Sequence, residues 1–292
     1  MIEDRSWGSR LFDILNYALL AVVALVCLLP LINVFAVSLS DRASTTANLV
    51  KFWPVNFTTL NYEQILAQAE FQGAFMISLI RVALGSALIM LVTVLTAYPL
   101  SLSRGFPGQR LLKWVLIFAM LFSGGLIPWF LAIKSLGLLN TIWALIFPLT
   151  VQVFFIIVML NFFRNLPVEL SEAANMDGAS HWDILFRIYI PLSTPALATI
   201  LLFAAVLHWN SWFDALVLMN TPDQYPLQTY LKATVITGDF TRMLNDPLLV
   251  AKLSEQSLRA AQVFLATVPI LIVYPFLQRY FVKGLVLGSV KG

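Results

Sequence analysis

Residues 169–195, ELSEAANMDGASHWDILFRIYIPLSTP, place four carboxylates, a histidine, an arginine and a glycine between two long apolar runs. Their types and spacing decide which chemistry is open to them. No His-x-x-x-His pair, P-loop or Ser-His-Asp pattern occurs in the chain, so no catalytic residue, no metal site and no ATPase is expected within it. The single cysteine, Cys27, permits no internal disulfide and no Cys-based metal site, and is expected as a buried thiol. What remains is non-covalent work, in which a carboxylate such as Glu172 makes a charge-assisted contact with a basic group on another protein.

Local rules shape this segment. Leu170 to Met176 is a good helix former, with Glu172, Ala173 and Ala174 costing little. Gly178 then supplies a break, or a point of close approach where any side chain would clash. Ser180-His181-Trp182-Asp183 has the spacing of a capping box, which starts a second helix carrying Trp182, Leu185, Phe186 and Ile188. Asp177 either caps locally or meets a partner. Thr194-Pro195 reads as the cap and first residue of the next helix. Two short helices joined at a glycine, charged at one end and greasy at the other, suit docking better than a free loop.

The elements around the segment are those of a membrane protein. Of 292 residues 60% are hydrophobic and 11% charged, with a mean hydropathy of +0.85, against about 25% charged in soluble domains. Runs near 12–39, 73–101, 112–133, 141–163, 194–219 and 260–281 are long enough to cross a bilayer as helices. Arg5, Arg10, Arg104, Arg110, Lys113, Arg164, Arg187, Arg279, Lys283 and Lys291 would share one side. Arg42, Lys51, Lys134, Lys232, Arg242 and Lys252 would be spread over longer loops on the other. The denser set marks the cytoplasm, which puts both termini and residues 169–192 inside and the loop 220–258 outside. That loop is too long for a simple turn and is expected to fold as short helices. A formal net charge of +3 gives no hint of nucleic acid.

Glu172-Ala173-Ala174, Asp177-Gly178-Ala179, Phe186, Ile188, Pro191 and Pro195 resemble the EAA motif of ATP-binding-cassette (ABC) importer permeases. The resemblance implies a coupling helix seated in a cleft of a cytoplasmic ATPase subunit, with Glu172, Ala173, Ala174, Asp177, Gly178, Ala179, Phe186 and Pro191 as coupling residues. Phe122 to Pro128, Leu136 to Thr141, Trp53-Pro54, Asn61-Tyr62 and Trp209-Asn210 are similar to carbohydrate-importer permeases of the maltose-transporter type, above all the branch importing complex or acidic oligosaccharides. The ending from Tyr280 to Gly292 resembles the six-span partner's tail, in which Lys283, Gly284 and Lys291 would reach toward the ATPases. The resemblance implies an all-α integral membrane permease domain over 1–292 with a type I importer fold, six transmembrane helices and a core of about 72–281. Its coupling loop would be 169–192 and its cytoplasmic tail 282–292. The implied setting is a bacterial cytoplasmic (inner) membrane. The implied partners are a second permease chain in a heterodimer, two ATPase subunits that bind the ATP and Mg, an extracytoplasmic solute-binding protein, a sugar and membrane lipid. This chain itself would bind no cofactor.

The translocation path has two readings. Trp209, Asn210, Trp212 and Phe213 could form a cavity wall touched by sugar, which binds aromatic faces and hydrogen-bonding groups. Alternatively Asn210 bonds a neighbouring helix while the tryptophans and Asp214 mark the outer interface. Arg81 could attract an acidic substrate, but snorkelling to the outer headgroups is the favoured expectation. Gly124, Gly125 and Pro128 would allow tight packing or a bend. A gradient-driven secondary transporter or channel is the rival reading, weakened by span centres nearly free of charge. The identity of the sugar, neutral or acidic, is not written here.

Overall fold

The computed structural model describes residues 7–102, 105–237 and 253–289, which are helical apart from turns and one antiparallel bridge, Ser40 to Phe57. Contacts divide the chain into two units, Met1–Ala69 with Thr237–Val268 and Glu70–Ile236 with Pro269–Gly292.

The first unit begins with α1 (Trp7–Ser38), a long apolar helix of which only Ala36, Val37 and Ser38 are buried. Cys27 sits on its bare stretch and is exposed. The expected buried thiol is therefore wrong, because among the described residues of this unit none packs around that turn of the helix. Asp41 caps α2 (Arg42–Thr46) by accepting from the Ser44 amide at 2.9 Å. Next comes α3 (Leu60–Ala67), where buried Asn61 donates to the carbonyls of Ser38 and Ser40 at 2.9 and 3.3 Å. The Tyr62 and Ser38 hydroxyls lie 2.6 Å apart. The returning segment joins through Thr45, Ser254 and Ser257, whose hydroxyls form one buried cluster. Phe264 packs on Phe35 at 4.6 Å between ring centroids.

The second unit is built on α4 (Ala69–Ser101), which, like α1, is apolar and long enough to cross a membrane unbroken. The next three expected spans are broken. The first consists of α5 (Gln109–Leu121) and α6 (Leu126–Ser135), which meet at 119°. Gly125, at φ 82° and ψ 177°, makes the corner in a region essentially reserved for glycine. The second consists of α7 (Ile142–Ile146) with a 3-10 turn at Phe147–Leu149, then α8 (Val153–Arg164), bent by 49°.

The polar segment follows as α9 (Val168–Met176), α10 (His181–Ile184), a π turn at Leu185–Tyr189 and α11 (Ile190–Leu192). It meets α12 (Thr194–Asn210) at 81°. The N-cap of α12 is Ser193 rather than Thr194, because the Thr194 hydroxyl turns back to donate to the Pro191 carbonyl at 2.7 Å. After a break at Ser211 and Trp212 comes α13 (Phe213–Leu218), so the expected span 194–219 is two helices.

The loop 220–258, expected outside, folds in its described part as a 3-10 turn at Pro222–Gln224 and α14 (Leu227–Thr237), with 238–252 outside the described residues. The last helix, α15 (Glu255–Ser289), extends beyond the expected 260–281 at both ends. Among the described residues, three unbroken helices are long and apolar enough to cross a membrane, and up to six spans result if each bent pair, α10–α11 with α12 being the third, counts as one by length and composition.

Candidate functional site

The polar segment carries its polar and aromatic groups on a buried footing. Ile184, Leu185 and Tyr189 are buried, in one core with Tyr98 of α4 and Phe163 of α8, and Ala174 and Ala179 pack against it. Tyr98 is the hub. Its ring meets Tyr189 edge-on at 5.1 Å and Phe163 at 6.4 Å, and its hydroxyl lies 3.2 Å from Nδ1 of His181. The segment is thus tied to the ends of two spans, and its π turn, a form that gathers at functional places, lies on that tie.

The turn and second cap form as their residues dictate. Gly178 has φ +79°, and a Cβ there would meet nothing in this chain. Its conformation, not crowding, explains the glycine within this molecule. Ser180 and Asp183 form the reciprocal capping box: the Ser180 hydroxyl accepts from the Asp183 amide at 3.2 Å, and the Asp183 carboxylate accepts from the Ser180 amide at 3.3 Å and from the Ser180 hydroxyl at 2.5 Å. These bonds and Arg187, 3.4 Å away, hold the Asp183 carboxyl below its ordinary value, the Ser180 hydroxyl contributing most. Glu172, Ala173, Asp177 and Pro191 are exposed. So are Met176 at 88%, Trp182 at 61% and Phe186 at 57%, the last two rings stacked at 6.0 Å.

Lys283 and Gly284 lie within α15, whereas Lys291 falls outside the described residues. No group of three or more acidic, histidine or cysteine side chains able to hold a metal occurs among the described residues.

The second site is the break between α12 and α13. Trp209 is buried, edge-on to Phe75 at 5.9 Å, and with Leu79, Val206 and Val273 it lines a small apolar cavity. Asn210 and Phe213 are exposed and Trp212 is half-buried. Lys232 of α14 places its ammonium 5.6 Å from the Trp212 ring centre, a cation–π distance. Thr229 donates to the Trp212 carbonyl at 2.9 Å.

Sequence reasoning missed what holds this break. Arg81 is fully buried, not snorkelling: it pairs with Asp214 of α13 and also donates to the carbonyls of Ser211 and Leu145 at 3.2 and 3.3 Å. The expectation failed because it weighed Arg81 alone against water, when a carboxylate far along the chain offers a partner inside. Removing either member of such a pair costs about 3–5 kcal/mol. The turn Gly137–Asn140 braces the same region. Asn140, at φ 60°, donates its amide to the Leu218 carbonyl at 3.2 Å, and its side chain accepts from the Asn220 amide at 2.7 Å.

The described residues thus form a helical protein with apolar spans, a polar segment packed on the ends of α4 and α8, and a break between α12 and α13. Comparison with known proteins gives the family. The model of the binding-protein-dependent transport system inner membrane component family matches residues 89–286. The polygalacturonan/rhamnogalacturonan transport system permease protein YtcP of Bacillus subtilis is 39% identical over 97% of this chain and 99% of its own. Protein LplC of the same organism is 40% identical over 98% and 96%. A crystal structure of a bacterial ABC transporter involved in the import of the acidic polysaccharide alginate contains a chain that matches with a TM-score of 0.86. That chain is 34% identical, over 94% of this chain and 98% of its own. The chain belongs to the binding-protein-dependent transport system inner membrane component family, as a multi-pass membrane permease.

Proposed function

We propose that this chain is one of two permease subunits of an ATP-driven importer of acidic oligosaccharides. The observation that carries the reading is the exposed α9–α10 face, with Glu172, Trp182 and Phe186, standing on the buried Tyr98–Tyr189 footing. The face docks in the cleft of an ATPase subunit, which holds the ATP and Mg. Glu172 makes the charge-assisted contact, and Ala173, Asp177, Gly178 and Pro191 lie along it, with Lys283, Gly284 and Lys291 of the tail toward the same subunits. As nucleotide closes the ATPases, the docked helices move, and the Tyr98 and Phe163 contacts carry that motion into α4 and α8. Nucleotide biases the transport cycle only because these contacts differ between its states.

In this reading residues 169–192 and both termini face the cytoplasm, and α14 faces the solute-binding protein. Asn210, Trp212 and Phe213, at the break, meet the sugar. Acidic sugars are favoured by the kinship with a polygalacturonan/rhamnogalacturonan permease and with the alginate importer, and by the Lys232 ammonium beside Trp212.

The test is purification in mild detergent followed by reconstitution. The chain is expected to bring an ATPase and a second permease with it, and labelled oligogalacturonate should enter vesicles only with ATP and the binding protein. Uptake by this chain alone under an ion gradient would establish the rival carrier instead.

A further inference from the structure

A guanidinium fully buried in a membrane span must be neutralised and its donors filled, or it would not stay there. Arg81 of α4 meets that demand at both Nη atoms with three other pieces of the fold, and only its buried Nε is left without a partner among the described residues. Nη1 donates to the Ser211 carbonyl at 3.2 Å and to Oδ1 of Asp214 at 3.3 Å. Nη2 donates to Oδ2 of Asp214 and, at 3.3 Å, to the Leu145 carbonyl. Ser211 lies in the break, Asp214 in the first turn of α13 and Leu145 in α7. The outer halves of two broken spans are thereby fastened to one unbroken helix through a single planar fork.

We infer that Arg81 is a positioning residue for translocation, a latch that sets α13 and α7 on α4 and so fixes how the break presents Trp212 and Phe213. The inference rests on the permease reading and on the break as the sugar's path. Asp214 cancels the charge of Arg81 inside the protein, and its carboxylate also accepts from its neighbour's amide, Ala215 N–H, at 2.9 Å. The latch therefore works through geometry, not by drawing in an anion. An ammonium cannot replace it: a lysine offers a point charge where the site uses a fork reaching two carbonyls and both carboxylate oxygens.

The experiment uses the complete transporter with its partner permease, ATPases and binding protein, reconstituted in vesicles. Uptake per ATP hydrolysed is compared for the parent, R81K and the paired R81M/D214L. R81K keeps a charge opposite Asp214, and the paired variant removes both charges together, so neither strands a buried ion. Each is expected to assemble and to lose about tenfold in uptake per ATP, within the range of couplings between sites. The loss should be equal for every oligosaccharide the parent carries, charged or methyl-esterified. Parental uptake per ATP in either variant overturns the latch, and so does a loss confined to charged sugars, which would put Arg81 in contact with substrate. A parent that carries no sugar at all would sink the permease reading instead.

Discussion

A methyl group added at Gly85 would stand 2.3 Å from Nε2 of His208 and 2.5 Å from its Cε1, in a ring that is fully buried. Neither α4 nor α12 can give way cheaply there, and forcing extra volume into a packed interior costs about 1–3 kcal/mol. Gly85→Ala is therefore expected to lower the midpoint of thermal unfolding in detergent, and an unchanged midpoint would mean that the ring swings aside. Gly178 is the opposite case, since it faces open space but holds a left-handed backbone. Gly178→Asn, which tolerates that conformation, should insert and fold as the parent does. Gly178→Trp should insert and lose uptake, and normal uptake would leave this glycine only its turn. Gly178 was legible because its rule is local, a polar helix on each side of one glycine. Gly85 was not, because the ring that demands it comes from far along the chain.

At the scale of elements, the start of α10 depends on a carboxylate. The folded Asp183 group titrates below its ordinary value of 3.8, chiefly through the Ser180 hydroxyl and then the Ser180 amide. A depressed folded value means that the cap contributes its full stability above the unfolded value and loses it as pH falls through the folded one. Amide protection across Ser180–Ile184, read by hydrogen exchange, should be flat from neutral pH down to about pH 5 and collapse only in stronger acid. Ser180→Ala, which removes a cap of about 1 kcal/mol, should abolish that dependence; protection that falls already between pH 7 and 5 would assign it to another group.

This box was readable from spacing alone, whereas the breaks in the spans were readable only in part. Gly124-Gly125 announced the corner before α6, but nothing near Ser211 announces the end of α12. That break is held by Arg81 and Thr229 reaching its carbonyls, and hydropathy has no means of recording a hydrogen bond between distant residues.

For the whole molecule, the balance of covered and bare surface decides how it works. A bare apolar face such as that of α1 is what lipid or another span covers, and the composition already said so. The polar segment differs, because Trp182 and Phe186 stand bare in a stretch that also exposes the charges of Glu172 and Arg187. Stacked aromatics exposed next to charges are the residues that carry binding energy when a partner's pocket closes over them. The paired substitution Trp182→Ala with Phe186→Ala leaves the buried footing of Ile184, Leu185 and Tyr189 untouched, so insertion and thermal stability should match the parent. Affinity for the ATPase subunit, titrated in detergent, should weaken by at least about tenfold, since losing such anchors costs about 2 kcal/mol or more. Glu172→Gln should weaken it by less and make the remaining affinity less sensitive to salt. If the paired variant binds the ATPase as tightly as the parent, the docking face lies elsewhere on the chain. The Tyr98 hub would then be packing for a span end and not the route by which motion enters the bundle.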